Sequence, residues 1–448
     1  MLNKYQIYFT GLNHPEPSER LENLRRLAEM VAAGEIGQPQ RGVDVNNHIH
    51  TIYSFSPYSP AKAIWMAYQS GLTTAGIMDH DSISGALEFV EAGRIVGMAT
   101  TIGVECRSDF SGTHLKGRRI NNPDQPSVAY VALHGIPHTK IDEVKRFFAP
   151  YLEERNIRNR QMVERINDIL KSSGVKLDFT NDVLAISSFA EGGSVTERHI
   201  LYALAGKFIE RYGKGESLVG FLKNQLGLNL SPKLENFLGE TANEFYQYDL
   251  LSGLKSDLVS AFYIDATREC PDIKRLIEFA GEIGAIPAYA YLGDVEASVT
   301  GDKKNQKFED DYLDFLFEVL GELGFKAVTY MPTRNSASQL ERVRNLCRRY
   351  GFFQISGEDI NSPRQSFICN ALRDEKYQNL VASAWALIGH ELSATEDVGR
   401  GLFTPDTTRR YPDLNDRIKA YEAIGKQKVK IFIRPRAVNR EMDRDVCN

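Results

Sequence analysis

Histidine and cysteine are both scarce in this chain of 448 residues, with nine of the first and five of the second. The cysteines (Cys106, Cys270, Cys347, Cys369 and Cys447) are odd in number, scattered and free of any CxxC pair. That excludes a disulfide framework and a thiolate zinc site. Charge of one sign is not in excess either: 54 Lys and Arg against 59 Asp and Glu give a net charge of −5. A near-neutral surface lacks the positive field that a nucleic-acid backbone demands, so an extensive nucleic-acid surface is not expected. No apolar run reaches the roughly 18 residues needed to cross a bilayer, and the first residues hold no apolar signal core. The expectation is a cytoplasmic protein with no membrane partner. A GxSxG nucleophile elbow and a GxxxxGK phosphate loop are also missing, which removes two common routes to hydrolysis and phosphate binding.

What remains is an ordinary globular composition, 42% hydrophobic and 25% charged, with an uneven histidine distribution. His48, His50, His80, His114, His134 and His138 account for six of the nine. A cluster of imidazoles in one stretch makes a metal or acid–base site the first question.

Residues 1–42 read as an N-terminal appendage carrying an amphipathic helix, with Leu21, Leu24, Leu27 and Val31 on one face and Gly34 at its end. From there short apolar strands alternate with helices. The candidate strands are 43–48, 74–78, 99–104, 128–133, 286–291, 327–330 and 353–355; the candidate helices are 60–69, 84–96, 271–283, 308–323 and 339–350. Repeated βα units argue for an α/β fold with a mainly parallel sheet, open or closed into a barrel. The division expected is a barrel formed by 43–140 and 263–392, a helical insertion at 141–262 placed to cap a site, and a C-terminal extension at 393–448.

Chemistry collects at the strand ends. His48 and His50 lie two apart on the first strand and share a face, so both imidazoles reach one cation. Asp79-His80-Asp81 ends the second strand, Gly103-Val104-Glu105 the third, and Gly357-Glu358-Asp359 follows the last. Ligands in βα folds bind at these carboxyl ends.

These motifs, His48-x-His50-Thr51, Asp79-His80-Asp81 and Gly103-Val104-Glu105, resemble those of the PHP (polymerase and histidinol phosphatase) metal-dependent phosphoesterases. The likeness spans about 43–365 and extends to Glu154-Arg155-Asn156-x-Arg158 and Gly192-Gly193-Ser194-Val195-Thr196-x-x-His199, similar to the insertion of PHP nucleotide phosphatases. It implies a distorted seven-stranded (β/α) barrel with an inserted helical cap. It also implies a metal site made of His48, His50, Glu105 and Asp359, all present here. The two further sites of typical members are dismantled, since Tyr130 and Tyr291 align with imidazoles of the second, while Phe55, His80 and Asn361 align with the third. His80, His134 and His138 stand as further ligand candidates.

The resemblance implies a divalent ion (Mn, Zn or Fe), at least one per chain, and hydrolysis of a small nucleotide- or sugar-phosphate-like ester by an acidified water. Asp79 or His80 is the candidate general base, with Asp79 alternatively orienting a ligand imidazole. Tyr130 and Tyr291 are candidate oxyanion donors. Arg158, Arg198, His199 and Arg364 are candidates for phosphate, although the arginine that relatives carry after the threonine is Glu197 here. Two other readings stay open: a metal-stabilised ligand-binding or regulatory module, and a mononuclear C–N hydrolase. Homo-oligomerisation is also open.

Overall fold

A computed structural model describes residues 3–295 and 306–432. Seven strands form one sheet in chain order: β1 (Val45–Ile49), β2 (Thr74–His80), β3 (Ala99–Asp109), β4 (Val128–His134), β5 (Ile286–Ala290), β6 (Ala327–Tyr330) and β7 (Phe353–Ser356). An N-terminal hairpin, α1 (Lys4–Gly11) and α2 (Pro17–Ala32), precedes them. Between strands lie α3 (Pro60–Gln69) and α4 (Ala86–Val96), then a run of helices between β4 and β5: α5 (Ile141–Ile169), α6 (Glu197–Tyr212), α7 (Glu216–Asn224), α8 (Pro232–Gly239), α9 (Tyr246–Phe262) and α10 (Ile273–Ile283). The chain continues through α11 (Leu313–Leu323), α12 (Ala337–Tyr350), α13 (Gln378–Glu396), α14 (Pro405–Arg410) and α15 (Leu414–Phe432). Residues 433–448, the end of the expected C-terminal extension with Cys447, lie outside the described residues.

Local chemistry sets several helix starts. The Ser59 side chain accepts from the Lys62 amide just ahead of Pro60, and Asp272 accepts from the Lys274 and Arg275 amides at the head of α10. Ser336 and Gln339 form a reciprocal cap at α12. Each satisfies amides that the helix itself leaves unpaired.

The strand pairs are parallel except that β4 runs antiparallel to both β3 and β5. A parallel return needs a crossover, usually a helix, and the connection 110–127 contains none. The sheet curls until its two edges meet: the His50 amide donates to Ile360 O at 2.9 Å and the Ile360 amide to His48 O at 3.1 Å. The result is a nearly closed seven-stranded barrel.

The inner face is small and apolar. Met78, Ala132, Ile286, Ala288, Ala327, Phe353 and Ile355 pack with Ala386 and Leu387 of α13, Leu402, and Tyr421 of α15. The α13 helix closes the end opposite the carboxyl termini of β1–β3, where Glu391 accepts from Thr101 Oγ1 at 2.6 Å and the Ile102 amide at 2.7 Å. Against it α15 crosses in near backbone contact, and a Cβ placed on Gly425 would stand 2.3 Å from Trp385 O. Helices α5, α6, α7 and α9 enclose a separate core around Met162, Leu204, Phe208 and Leu254, joined by Phe55 from the loop after β1. No helix among the described residues is long and apolar enough to cross a membrane.

Candidate metal centre

Register delivers the ligand-type side chains to one place. His80 pairs with Glu105 across β2 and β3, so both project to the same face. A register irregularity in β1 between Asn46 and Ile49 takes in His48, and Asn46 Oδ1 accepts from the His48 amide at 2.9 Å. Asp359 arrives from beyond β7 because the chain there passes tightly against β1. A Cβ on Gly357 would lie 2.6 Å from His48 Cβ, so only glycine fits.

The outcome is two overlapping triads, His48–His50–Asp359 and His50–His80–Glu105, whose ligand atoms lie within 4.8 Å of one another in each group. His50 Nε2 is 3.2 Å from Asp359 Oδ1, His80 Nδ1 is 3.2 Å from Glu105 Oε2, and His48 Nε2 is 3.6 Å from that same oxygen. The two triads divide His48, His50, Glu105 and Asp359 between them, with His80 drawn in. Burial alone would discharge His48, but the neighbouring Glu105 carboxylate outweighs it and raises the pKa. His80 goes the other way, held well below its ordinary value by burial and by the Arg155 charge. Burial works against the charge on Asp359, yet the His48 and Arg198 charges help to hold its carboxyl well below the usual range.

The donor set suits a divalent cation, and one atom is left waiting for it. Ser54 Oγ gives its proton to Asp79 Oδ1 at 2.6 Å and lies 3.2 Å from His50 Nδ1, so the hydroxyl accepts there and the ring proton sits on Nδ1. Nε2 then carries a lone pair. It is buried without a hydrogen bond although Asp359 is close. An unpaired buried acceptor is costly unless a ligand fills it.

Asp79 is occupied. Its oxygens accept from the Thr51 amide (2.7 Å), Thr51 Oγ1 (2.6 Å) and Ser54 Oγ. Three of the carboxylate's roughly four acceptor positions are thus taken, and of the two roles expected of Asp79 these bonds serve the orienting one, fixing the loop that holds His50. The reversal of β4 takes two of the expected ligands away from the triads. Its carboxyl end points away from the centre, so His138 bonds Glu391 Oε1 at 2.9 Å at the opposite end of the barrel. His134 pairs in register with Gly103, two positions short of Glu105, and stands in neither triad. Burial lowers its pKa to about 3.

Tyr130, at the other end of β4, does face the centre, its ring 5.9 Å from that of His80. Tyr291 does not. It packs with the residues under the outer helices and donates its hydroxyl to Asp310 at 2.6 Å, because Ala288 and Ala290 hold the inward positions of β5.

The expected phosphate groups separate in the same way. Arg158 is buried and spent: its Nε donates to Glu269 at 2.6 Å, and its Nη atoms reach Ile264 O and Glu197. Glu197 and Glu269 also receive Arg107 at 2.9 and 3.0 Å, and Arg155 reaches Asp81 at 2.9 Å. Three guanidiniums thus face three carboxylates where α5 and α6 meet the barrel. Glu197 and Glu269 together neutralise Arg158. His199 Nδ1 accepts from the Thr196 amide at 3.0 Å as part of the α6 cap, and Arg364 pairs with Asp249 at 2.7 Å. Only Arg198 of the four makes no hydrogen bond or ion pair among the described residues. Its guanidinium lies 5.9 Å from the Phe55 ring and within the field of Asp359 and Tyr130.

Sequence reasoning missed Ser54 as an orienting group and Arg334 altogether. Arg334, between β6 and α12, donates Nε to Leu292 O at 3.2 Å and also feels Asp359. No motif marks it. The signal that existed for Asp81 is conformational: it adopts φ +51° directly after His80, a left-handed conformation that aspartate tolerates better than most residues.

Comparison with known sequences gives no matching family model and no matching curated protein. Solved structures similar to the chain include a presumptive metal-dependent phosphoesterase from Bifidobacterium adolescentis, at 18% identity and a TM-score of 0.49, covering 78% of this chain and 97% of that one. Another is an amidohydrolase from Chromobacterium violaceum with bound sulfate and no metal, at 15% identity and a TM-score of 0.47, covering 73% and 90%. Likeness at this level carries no argument about activity, which rests on the geometry of the centre.

Proposed function

We propose that this chain is a metal-dependent hydrolase of the PHP phosphoesterase type, cleaving a small phosphoester. The observation that carries the reading is the buried, unpartnered Nε2 of His50 at the junction of two triads of ligand-type groups. His48, His50, His80, Glu105 and Asp359 are the groups that would hold the ion. A divalent ion bound there supplies Lewis-acid polarisation and a water acidic enough to attack near neutral pH.

The chain's own residues supply the rest. Arg198 binds the phosphoryl group, its guanidinium being free of a carboxylate partner and within the field of Asp359. Tyr130 donates to the developing oxyanion. His80 is held below its ordinary pKa, which suits its ring to ligate the ion. His50 has one free lone pair, and both triads need it. One firmly held ion per chain is therefore expected, in keeping with the loss of the other two sites.

Elemental analysis of protein purified after loading with Mn, Zn or Fe tests the count: one equivalent is expected, and two or more would defeat the single-ion reading. Activity is tested on a panel of nucleotides, sugar phosphates and aryl phosphates, with amides alongside. Wild type active on a phosphoester and His50→Ala reduced by at least about a hundredfold is the expected result. Equal inertness of both proteins toward every phosphoester would sink the reading; turnover of amides alone would favour C–N hydrolysis.

A further inference from the structure

We infer that the N-terminal helical hairpin is a positioning element for the metal centre and acts through the loop 51–59, with Asn13 as its principal contact. The inference rests on the metal reading above. The loop begins immediately after His50 and carries Ser54, the group that fixes the His50 ring. On its metal side it is tied by Thr51 and Ser54 to Asp79. Its far side, from Pro57 to Ser59, is held largely by the hairpin. The Asn13 carboxamide uses both of its arms there, Nδ2 donating to Pro57 O at 2.9 Å and Oδ1 accepting from the Ser59 amide at 3.0 Å. Ser59 Oγ donates to Leu12 O at 2.5 Å while accepting from the Lys62 amide at 3.0 Å, so one hydroxyl joins hairpin, loop and α3.

A second tie lies one turn further along the hairpin. Arg20, almost wholly buried, grips both oxygens of Glu88 at 2.9 and 2.6 Å and spends its remaining donor on His14 O and Pro15 O, each at 2.9 Å. Glu88 in turn accepts from the Ala61 amide at 3.1 Å, and Tyr53 of the loop stands within the field of both charges. Tyr53 O also receives the Ser194 amide at 2.7 Å, which connects the loop to the start of α6 and hence to Arg198. A loop without helix or strand of its own is thus pinned on every side, and Ser54 sits at its centre. Slackening the hairpin side lets Ser54 drift from His50 Nδ1, which removes the acceptor that keeps Nε2 free and aimed.

The test uses the full chain and Co2+ as probe, with affinity measured by chelator competition and coordination read from the visible absorption of the bound ion. Groups that orient metal ligands typically change affinity by 10- to 100-fold. Asn13 acts one layer further out, and a weakening of about tenfold with an altered absorption band is expected for Asn13→Ala. Asn13→Asp keeps the bond to the Ser59 amide and loses the one to Pro57, so it should recover part of both. It also keeps the experiment decisive if the alanine variant fails to fold. Wild-type affinity and spectrum in the folded Asn13 variants would overturn the inference, whatever their thermal stability. Should His50→Ala bind Co2+ as the wild type does, the metal reading itself fails, and the two failures are distinguishable.

Discussion

A single hydroxyl decides which nitrogen of His50 faces the ligands. Because Ser54 spends its proton on Asp79, the imidazole presents a lone pair on the inner side. Arg198 is the counterpart proposed for the substrate, a cation without a carboxylate partner that lies within the field of Asp359. Arg198→Ala should lower kcat/KM for a phosphoester by roughly 10- to 100-fold, the worth of a charge-assisted hydrogen bond. The same change in Arg364, already paired with Asp249, should leave kcat/KM within about twofold. Equal losses in the two variants would contradict the assignment. Glu309 offers a test remote from any ligand. Its side chain accepts from the Tyr289 hydroxyl and from the Leu292 and Gly293 amides, but burial dominates and raises its pKa to about 7 from an ordinary 4.5. The folded state therefore keeps a proton that the unfolded state has lost between those values, and stability falls as pH rises through that window. Relative to Glu309→Gln, the wild type should lose on the order of 3 kcal/mol between pH 4.5 and pH 8; parallel stability curves for the two proteins would refute it.

Among the elements, β4 separates what the sequence makes legible from what it hides. The strands themselves are readable, since runs such as 128–133 and 353–355 are short, apolar and bounded by turn residues. Direction is not. Reversal of β4 follows from the lack of a helix in 110–127, and it sends His138 to the far end of the barrel while bringing Tyr130 to the near one. Face is equally hidden on β5, where every residue from Ile286 to Tyr289 is buried and no alternation tells inside from outside. The outward direction of Tyr291 is unreadable from the sequence for that reason. The joint of α5 and α6 with the barrel was invisible for another cause: Arg107 and Glu269, far apart in sequence, belong to no motif. Removing one carboxylate from a buried, balanced set strands a charge, so Glu269→Ala should cost about 3–5 kcal/mol by denaturant unfolding. A loss below about 1 kcal/mol would show that water reaches the joint.

At the scale of the whole molecule, the barrel and the four strand-end motifs could be read directly because spacing along a strand translates into a face. Their division into two triads depends on side-chain directions that only the closed sheet defines. That closure has a temporal meaning as well. His48 and His50 are made early, yet the backbone that completes their strand is Ile360, and the barrel interior is sealed only by Leu387, Leu402 and Tyr421. During synthesis the first ligands must therefore wait, unpaired along one strand edge, through more than three hundred further residues. The two triads therefore differ in when they can form: His50, His80 and Glu105 are all present once residue 105 has been made, whereas His48 and His50 meet Asp359 only after the last strand has closed the sheet.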